Sequence, residues 1–221
     1  MGRSLVRAVV LVALCGCSAP SPEPAADAPA RRIVSVAPPI TEILFALGRG
    51  DRVVGRSRFC EAPPEARSVP VVGDAMAVQA ETLVALRPDL VLTSGRGLED
   101  LLSPLRDRMR IRYLSTNSLD DLFAAVETLG RIAEAEEEAI ALSARLRAVI
   151  DEARRRNADR ARPRVLVVVN RDPFFVAGGG SYVGSLLDLA GAENVAGDLE
   201  KAYPSLSPET ILARAPSILL D

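Results

Sequence analysis

The chain is predicted to be an α/β protein of two Rossmann-like lobes, each with a parallel sheet, joined by one long helix, with the C-terminal lobe incomplete. Three observations predict it. Short apolar runs alternate with helical patterns along most of the chain, as in a parallel sheet covered on both faces. A motif occurs twice without a gap: Glu81-Thr82-Leu83-Val84-Ala85-Leu86-Arg87-Pro88-Asp89-Leu90-Val91-Leu92 and Glu209-Thr210-Ile211-Leu212-Ala213-Arg214-Ala215-Pro216-Ser217-Ile218-Leu219-Leu220. Each copy reads as a short helix opening at Glu-Thr, broken by a proline and followed by an apolar strand. A fainter echo precedes each copy: Leu44 to Gly48 leading to Asp51-Arg52-Val53-Val54-Gly55, and Leu187 to Gly191 leading to Glu193-Asn194-Val195-Ala196-Gly197. Two halves on one plan make two lobes with a cleft between them.

The elements follow in order. Residues 1–17 read as a leader: Arg3 and Arg7 precede the apolar run Ala8 to Leu14, which is too short to span a bilayer (a span needs ~20 residues). Leu14-Cys15-Gly16-Cys17 resembles a bacterial lipobox, with Cys17 as the lipidated new N-terminus; a plain secretory leader is the alternative. Residues 18–31, rich in Pro and Ala, read as a flexible tether. The N-terminal lobe is placed at 32–133. Ile33 to Val36 is a buried strand, Thr41 to Leu47 a helix stopped by Gly48, and Val53 to Gly55 a strand. Ala80 to Leu86 is helical and Leu90 to Thr93 a strand; Leu98 to Arg108 is helical and Ile111 to Leu114 a strand. Ser118 caps a helix carrying Leu119, Leu122, Phe123, Val126 and Leu129 on one face.

The connecting helix is placed at 134–160. Glu134-Ala135-Glu136-Glu137-Glu138 opens it and Arg154-Arg155-Arg156 closes it, as the helix dipole favours, and its reach is about 34 Å at ~1.5 Å per residue. The C-terminal lobe is placed at 161–221. Arg164 to Val169 is a buried strand and Asn170 to Gly180 a loop. Ser181 to Ala190 is helical, Ser207 caps the Glu209 helix with Pro208 at its first position, and Ile218 to Leu220 is the last strand. Ending one residue later leaves that strand a bare edge, which points to a fragment or truncated record.

Composition excludes several functions. The formal charge is −2, and loss of Arg3 and Arg7 with the leader makes the rest two charges more acidic, which gives no support to nucleic-acid binding. Cys60 has no cysteine partner after position 17 and reads as a small buried hydrophobe rather than a ligand contact. There is no histidine. That removes Ser-His-Asp and Cys-His nucleophile systems and the usual zinc sites, so no catalytic residue, metal site or resident cofactor is expected. Gly178-Gly179-Gly180 lacks the phosphate-loop spacing and reads as a flexible approach to a helix capped by Ser181.

From Arg32 to Asp221 the chain resembles the bacterial ABC-transporter substrate-binding proteins that take vitamin B12, haem and ferric siderophores, and most resembles the vitamin B12-binding member. The residues carrying it are Ile33 to Pro38, Thr41-Glu42, Val53 to Ser57, Pro63 to Ala66, Pro70 to Gly73, the two Glu-Thr repeats and Ala190 to Val195. The resemblance implies an extracytoplasmic, periplasmic lipoprotein, monomeric and touching the membrane through its anchor alone. It would deliver a small molecule, cobalamin or another metal chelate, to ABC permease subunits. Ferric-siderophore or haem binding is the alternative, and an exported α/β enzyme the alternative from another class.

The site residues follow. Glu81 and Glu209, at matching places in the repeat, are the implied permease-docking acids; each is otherwise a first-turn acid that the helix dipole favours. The cleft belongs at the loops after the strands. There Phe59 and Tyr203 fall where the B12-binding relative carries rings, and Asp74 and Phe174 lie in lining loops. Arg56, Arg58 and Arg96 could meet an anionic ligand. The absence of Trp, with Ala62 and Ala75 in place of expected aromatics, departs from the B12 relative.

Overall fold

The structure is a computed structural model that describes residues 27–74, 77–95, 97–98 and 102–221. Cys17, the leader, residues 18–26 of the expected tether, Ala75 and Arg96 lie outside the described residues. In the first half, β1 (Ile33–Ser35), β2 (Val53–Ser57), β3 (Val71–Gly73), β4 (Leu90–Thr93) and β5 (Arg110–Tyr113) form one sheet in the order β3-β2-β1-β4-β5. Every pairing is parallel. The chain runs outward from β1 through β2 and β3, then returns to the other side of β1. The strand order therefore reverses between β1 and β4, and such a reversal opens a crevice at the carboxyl ends of the strands.

Alternation in the strands feeds two cores. Ile33, Leu90 and Leu92 point to one face, where they meet α1 (Pro38–Ala46), α3 (Leu119–Ile132) and the start of α4 (Glu136–Asn157) through Leu44, Leu129, Ile132 and Leu142. Val34 and Val91 point to the other, against Leu83 of α2 (Ala80–Ala85) and Leu98, Leu102 and Met109. Fully buried Leu and Ile side chains of this kind contribute about 1.5–3 kcal/mol each.

In the second half, β6 (Arg164–Arg171) is flanked by two parallel neighbours, β8 (Glu193–Asn194) and β9 (Ile218–Leu220). β7 (Phe174–Val176) runs antiparallel to its far end. A purely parallel sheet and a loop from Asn170 to Gly180 were expected here. Instead Asp172-Pro173 makes a tight reversal, with the Asn170 side-chain amide donating to both of their carbonyls. The helices are α5 (Tyr182–Leu189), capped by Ser181, and α6 (Pro208–Ala213), capped by Ser207 with Pro208 in its first turn.

Other departures have local causes. α1 starts at Pro38 rather than Thr41, because a helix's first N–H groups have no internal acceptor and prolines fit there. Of the helix expected over Leu98 to Arg108, Gly97 and Leu98 are helical and the Leu102 N–H donates to the Leu98 carbonyl (3.0 Å), while Ser103–Leu105 is a 3-10 turn, where Pro104 disfavours continuation. From Asp27 onward the expected tether is tied down. Asp27 ion-pairs with Arg112 and Arg131, Arg110 donates to the carbonyls of Ala28 and Pro29, and Ala30 is fully buried.

The repeat is present in the backbone as well as the sequence. α2 and α6 occupy the same motif positions. Each is followed by a non-glycine residue in the left-handed region, Arg87 at φ 46° and Ala215 at φ 45°, and then by Pro88 or Pro216. Each following strand pairs in parallel with the first strand of its half, Ile33 opposite Leu90 and Val165 opposite Ile218. One arginine per half holds the join. Arg32 Nη2 donates to the Leu86 carbonyl (2.6 Å) and Nε to that of Arg87 (3.1 Å). Arg164 Nη2 donates to the Arg214 carbonyl (2.7 Å) and Nε to that of Ala215 (3.4 Å). These are the carbonyls a helix C-terminus leaves without an internal donor.

α4 links the halves. It is 22 residues long, about 33 Å at ~1.5 Å per residue. Its first turns, through Ala139 and Leu142, belong to the core of the first half. At its far end the Asn157 side chain donates to the Leu189 carbonyl of α5 (2.7 Å). Gly191, at φ 78°, passes so close that a Cβ there would lie 2.9 Å from the Asn157 Cβ.

Candidate ligand-binding platform and docking acids

The C-terminal ends of β2 and β3 bring three of the expected residues together. Beyond Ser57 the chain turns sharply. The Ser57 hydroxyl lies 3.2 Å from the Cys60 thiol and accepts the Phe59 N–H (3.3 Å). The thiol also approaches the Ser35 carbonyl at 3.7 Å. Cys60 is fully buried, and this tight loop turns the ring of Phe59 outward, 63% exposed. The Arg58 guanidinium lies over that ring, 5.6 Å from its centroid, and pairs with the Asp74 carboxylate.

Asp74 is itself fixed. Its N–H donates to the Ala77 carbonyl (3.0 Å) and its Oδ1 accepts the Ala77 N–H (2.9 Å). Gly73 makes that turn possible, with φ 118° and no room for a Cβ, which would come within 2.1 Å of the Ala77 oxygen. Asp74 is buried; its place is behind the platform, setting Arg58 over Phe59. A guanidinium on a phenyl face presents a flat, polarisable surface that suits a planar or anionic ligand. Arg56 does something else. It is buried and spends its donors on the carbonyls of Val69, Ser57 and Arg67, fastening the loop before β3.

In the second half, residues 202–206 run beside β7. The N–H groups of Val176 and Gly178 donate to the carbonyls of Pro204 and Ala202, and that of Leu206 to Phe174. Phe174 packs on the core with Leu199 and Leu206, so the solvent-facing ring of the pair is Phe175, set opposite Ser205. Strand alternation was the available signal, since buried Val176 and inward Phe174 leave Phe175 facing out. Tyr203 is 40% exposed. The three glycines before Ser181 serve packing rather than flexibility, since a Cβ on Gly178, Gly179 or Gly180 would lie 2.2 Å from the carbonyl oxygen of Lys201, Gly197 or Glu200.

Glu81 and Glu209 stand exposed in the first turns of α2 and α6. The local frames match. The Thr82 hydroxyl donates to Gln79 (3.1 Å), and Thr210 and Ser207 hydroxyls meet at 3.1 Å. The backbone N–H of Glu209 itself, first, and the Ser207 hydroxyl hold the Glu209 carboxyl below the usual glutamate range.

Two cavities lie away from these residues. One, about 550 Å³, sits where Ser118 and Asp120 face Arg154, Arg162, Gly184 and Asn194. The other, about 810 Å³, is a groove between α3 and α4. Phe59, Asp74, Phe174 and Tyr203 line neither of these two. Among the described residues no group of three or more Asp, Glu or Cys is placed to hold a metal ion, and no helix is long and apolar enough to cross a membrane.

Comparison with known proteins agrees with this architecture. A vitamin B12-binding protein of Vibrio campbellii is 26% identical over 196 residues, covering 88% of this chain and 71% of the relative. One of Pectobacterium atrosepticum is 28% identical over 203 residues, covering 89% and 73%. Among solved structures, the periplasmic vitamin B12-binding protein BtuF of Vibrio cholerae superposes with a TM-score of 0.71 at 26% identity, covering 86% of this chain and 76% of that one. IsdE of S. aureus, solved with heme, superposes at 0.73 and 26% identity, covering 85% and 74%. The family model described as periplasmic binding protein matches residues 33–220, and with five parallel strands, a switch point and a duplicated helix–strand unit in place, the chain belongs to the periplasmic binding protein family.

Proposed function

We propose that this protein is an extracytoplasmic solute-binding protein that delivers a corrinoid to an ABC importer and performs no chemistry on it. The observation that carries the reading is the Arg58–Phe59 platform at the carboxyl edge of the first sheet, held by Asp74, in a chain whose relatives bear the name vitamin B12-binding protein. A corrin ring is broad and flat. Phe59 would meet its face, with Tyr203 and Phe175 opposing from the second half, and aromatic contact of this kind buries area with little side-chain entropy to lose. Phe174, Asp74 and Arg96 are second in line, the first two because they are packed behind the surface. Glu81 and Glu209 would engage arginines of the permease subunits, giving register and encounter rate more than affinity. Cys17 would carry the lipid that keeps a monomer at the membrane, with no resident metal or cofactor of its own.

Haem is the second reading. The exposed guanidinium beside a phenyl face can pair a propionate while the ring stacks, and IsdE among the solved neighbours is a heme complex. Titration of the purified protein with cyanocobalamin, haem and a ferric siderophore, followed by visible absorption and calorimetry, decides between them. Saturable binding of cobalamin alone supports the first reading and of haem alone the second. Silence with all three ends both.

A further inference from the structure

We propose that Asp74 decides which rim chemistry the platform accepts: by neutralising Arg58 from behind, it favours a flat ring edged by uncharged carboxamides over one edged by carboxylates. This rests on the Arg58–Phe59 platform meeting the ring of the ligand, as proposed above.

The pair is a product of the sheet. Ser57 of β2 lies opposite Gly73 of β3 in parallel register. Arg58 and Asp74, the next residue on each strand, therefore leave the carboxyl edge side by side. The Arg58 N–H donates to the Gly73 carbonyl (2.8 Å), which holds the two backbones together at that point. The side chains differ in what they show to solvent. That of Arg58 is 60% exposed and that of Asp74 11%. A ligand meets the guanidinium first, with the carboxylate behind it.

Asp74 is held in that place. Its Oδ1 accepts the Ala77 N–H and its own N–H donates to the Ala77 carbonyl, while its Oδ2 takes Arg58 Nη2. An incoming carboxylate would have to share the guanidinium with an acid already bound to it, and like charges set together count against the wrong partner. The Asp74 carboxylate lies mostly out of water, so salt screens it little. A carboxamide oxygen takes one of the remaining guanidinium N–H donors and brings no second charge. The neighbouring arginines leave this balance alone. Arg56 is spent on carbonyls, and Arg67 pairs with Glu61 (3.8 Å).

Asp74→Asn keeps an oxygen for the Ala77 N–H and removes the charge. The full chain is titrated with cyanocobalamin, whose corrin is edged by amides, and with haemin, which carries propionates, and both are followed by visible absorption. In Asp74→Asn the ratio of the two affinities should move toward haemin by roughly tenfold. The move should shrink as salt is raised. Adding Arg58→Gln should cancel it, because the guanidinium is what the aspartate restrains. Asp74→Glu, which keeps the charge on a longer arm, should not make the move although it disturbs the turn as well. A ratio that Asp74→Asn leaves where it was overturns the proposal. So does a shift that survives Arg58→Gln or appears equally in Asp74→Glu, which would mark a loosened loop. Silence of the wild type toward both ligands ends the platform reading itself, whereas binding with an unmoved ratio ends this inference alone.

Discussion

Phe59 stays in solvent because the contacts beneath it, from Ser57 to the Phe59 N–H and the Cys60 thiol, close the loop before the ring can turn inward. Truncation should therefore cost binding rather than folding. Phe59→Ala is expected to weaken ligand binding by about 1–1.5 kcal/mol, roughly tenfold, with the melting temperature unchanged, as calorimetry on wild type and variant would report. Asp74→Ala acts one step back. It frees Arg58 and undoes the turn at Ala77, so both affinity and stability should fall. Glu209 answers to pH. Its carboxyl titrates below the usual range, so whatever its ionised form contributes is present above the unfolded-state pKa and disappears as pH falls through the folded one. An NMR titration of the Glu209 side chain should give a midpoint below that of a model glutamate. At this scale the sequence was partly readable. The resemblance put Phe59 and Tyr203 in loops after strands, where both rings are exposed, whereas the inward turn of Phe174 depends on a three-residue strand too short to show a period.

The helix–strand unit repeated in each half depends on an arginine that the repeat itself does not contain. Arg32 and Arg164 lie outside the motif, at the starts of β1 and β6, and were invisible to a reading that aligned only the Glu-Thr copies. Their guanidinium groups satisfy carbonyls that α2 and α6 would otherwise leave bare. Arg32→Ala or Arg164→Ala should destabilise by about 1 kcal/mol for each hydrogen bond that water does not replace, seen as a lower denaturation midpoint with an unchanged slope. The left-handed residue after each helix predicts the opposite sign. Glycine adopts that conformation without the Cβ penalty of about 1–2 kcal/mol, so Arg87→Gly and Ala215→Gly should be neutral to stabilising once glycine's larger unfolded-state entropy is subtracted. The long elements were legible, since caps and periodicity fix α3, α4 and α5 to within a residue or two. The short ones were not: β7 and β8 have too few residues for a pattern, and Pro104 interrupts the apolar spacing that reads as one helix over Leu98 to Arg108.

Over the whole molecule, duplication makes a prediction that no single lobe could. If Glu81 and Glu209 are equivalent docking points, charge reversal at either should depress uptake through the importer, and reversal at both should abolish it. Ligand affinity measured on the isolated protein should stay the same, because neither acid touches the platform. Uptake into vesicles or cells, set against calorimetry, separates the two effects. The gapless repeat was enough to foresee the helix–strand unit that recurs at α2–β4 and α6–β9, and the alternation of apolar runs was enough for the first sheet. The antiparallel strand beside β6 followed from a two-residue reversal at Asp172-Pro173, which a count of strands does not foresee.

The asymmetric attachment of α4 has a mechanical consequence. Its opening turns are cemented into the first half, while at the other end Asn157 grips the turn after α5 and Gly191 lies flush against it. The rod and the first sheet must then move as one solid piece. The chain passes from the rod to the second half over the short span from Ala158 to Pro163, with Asn157 as its fulcrum. A lever so arranged can swing through a small arc but cannot fold shut, and cargo capture would need to be won by surfaces already set at nearly the right spacing.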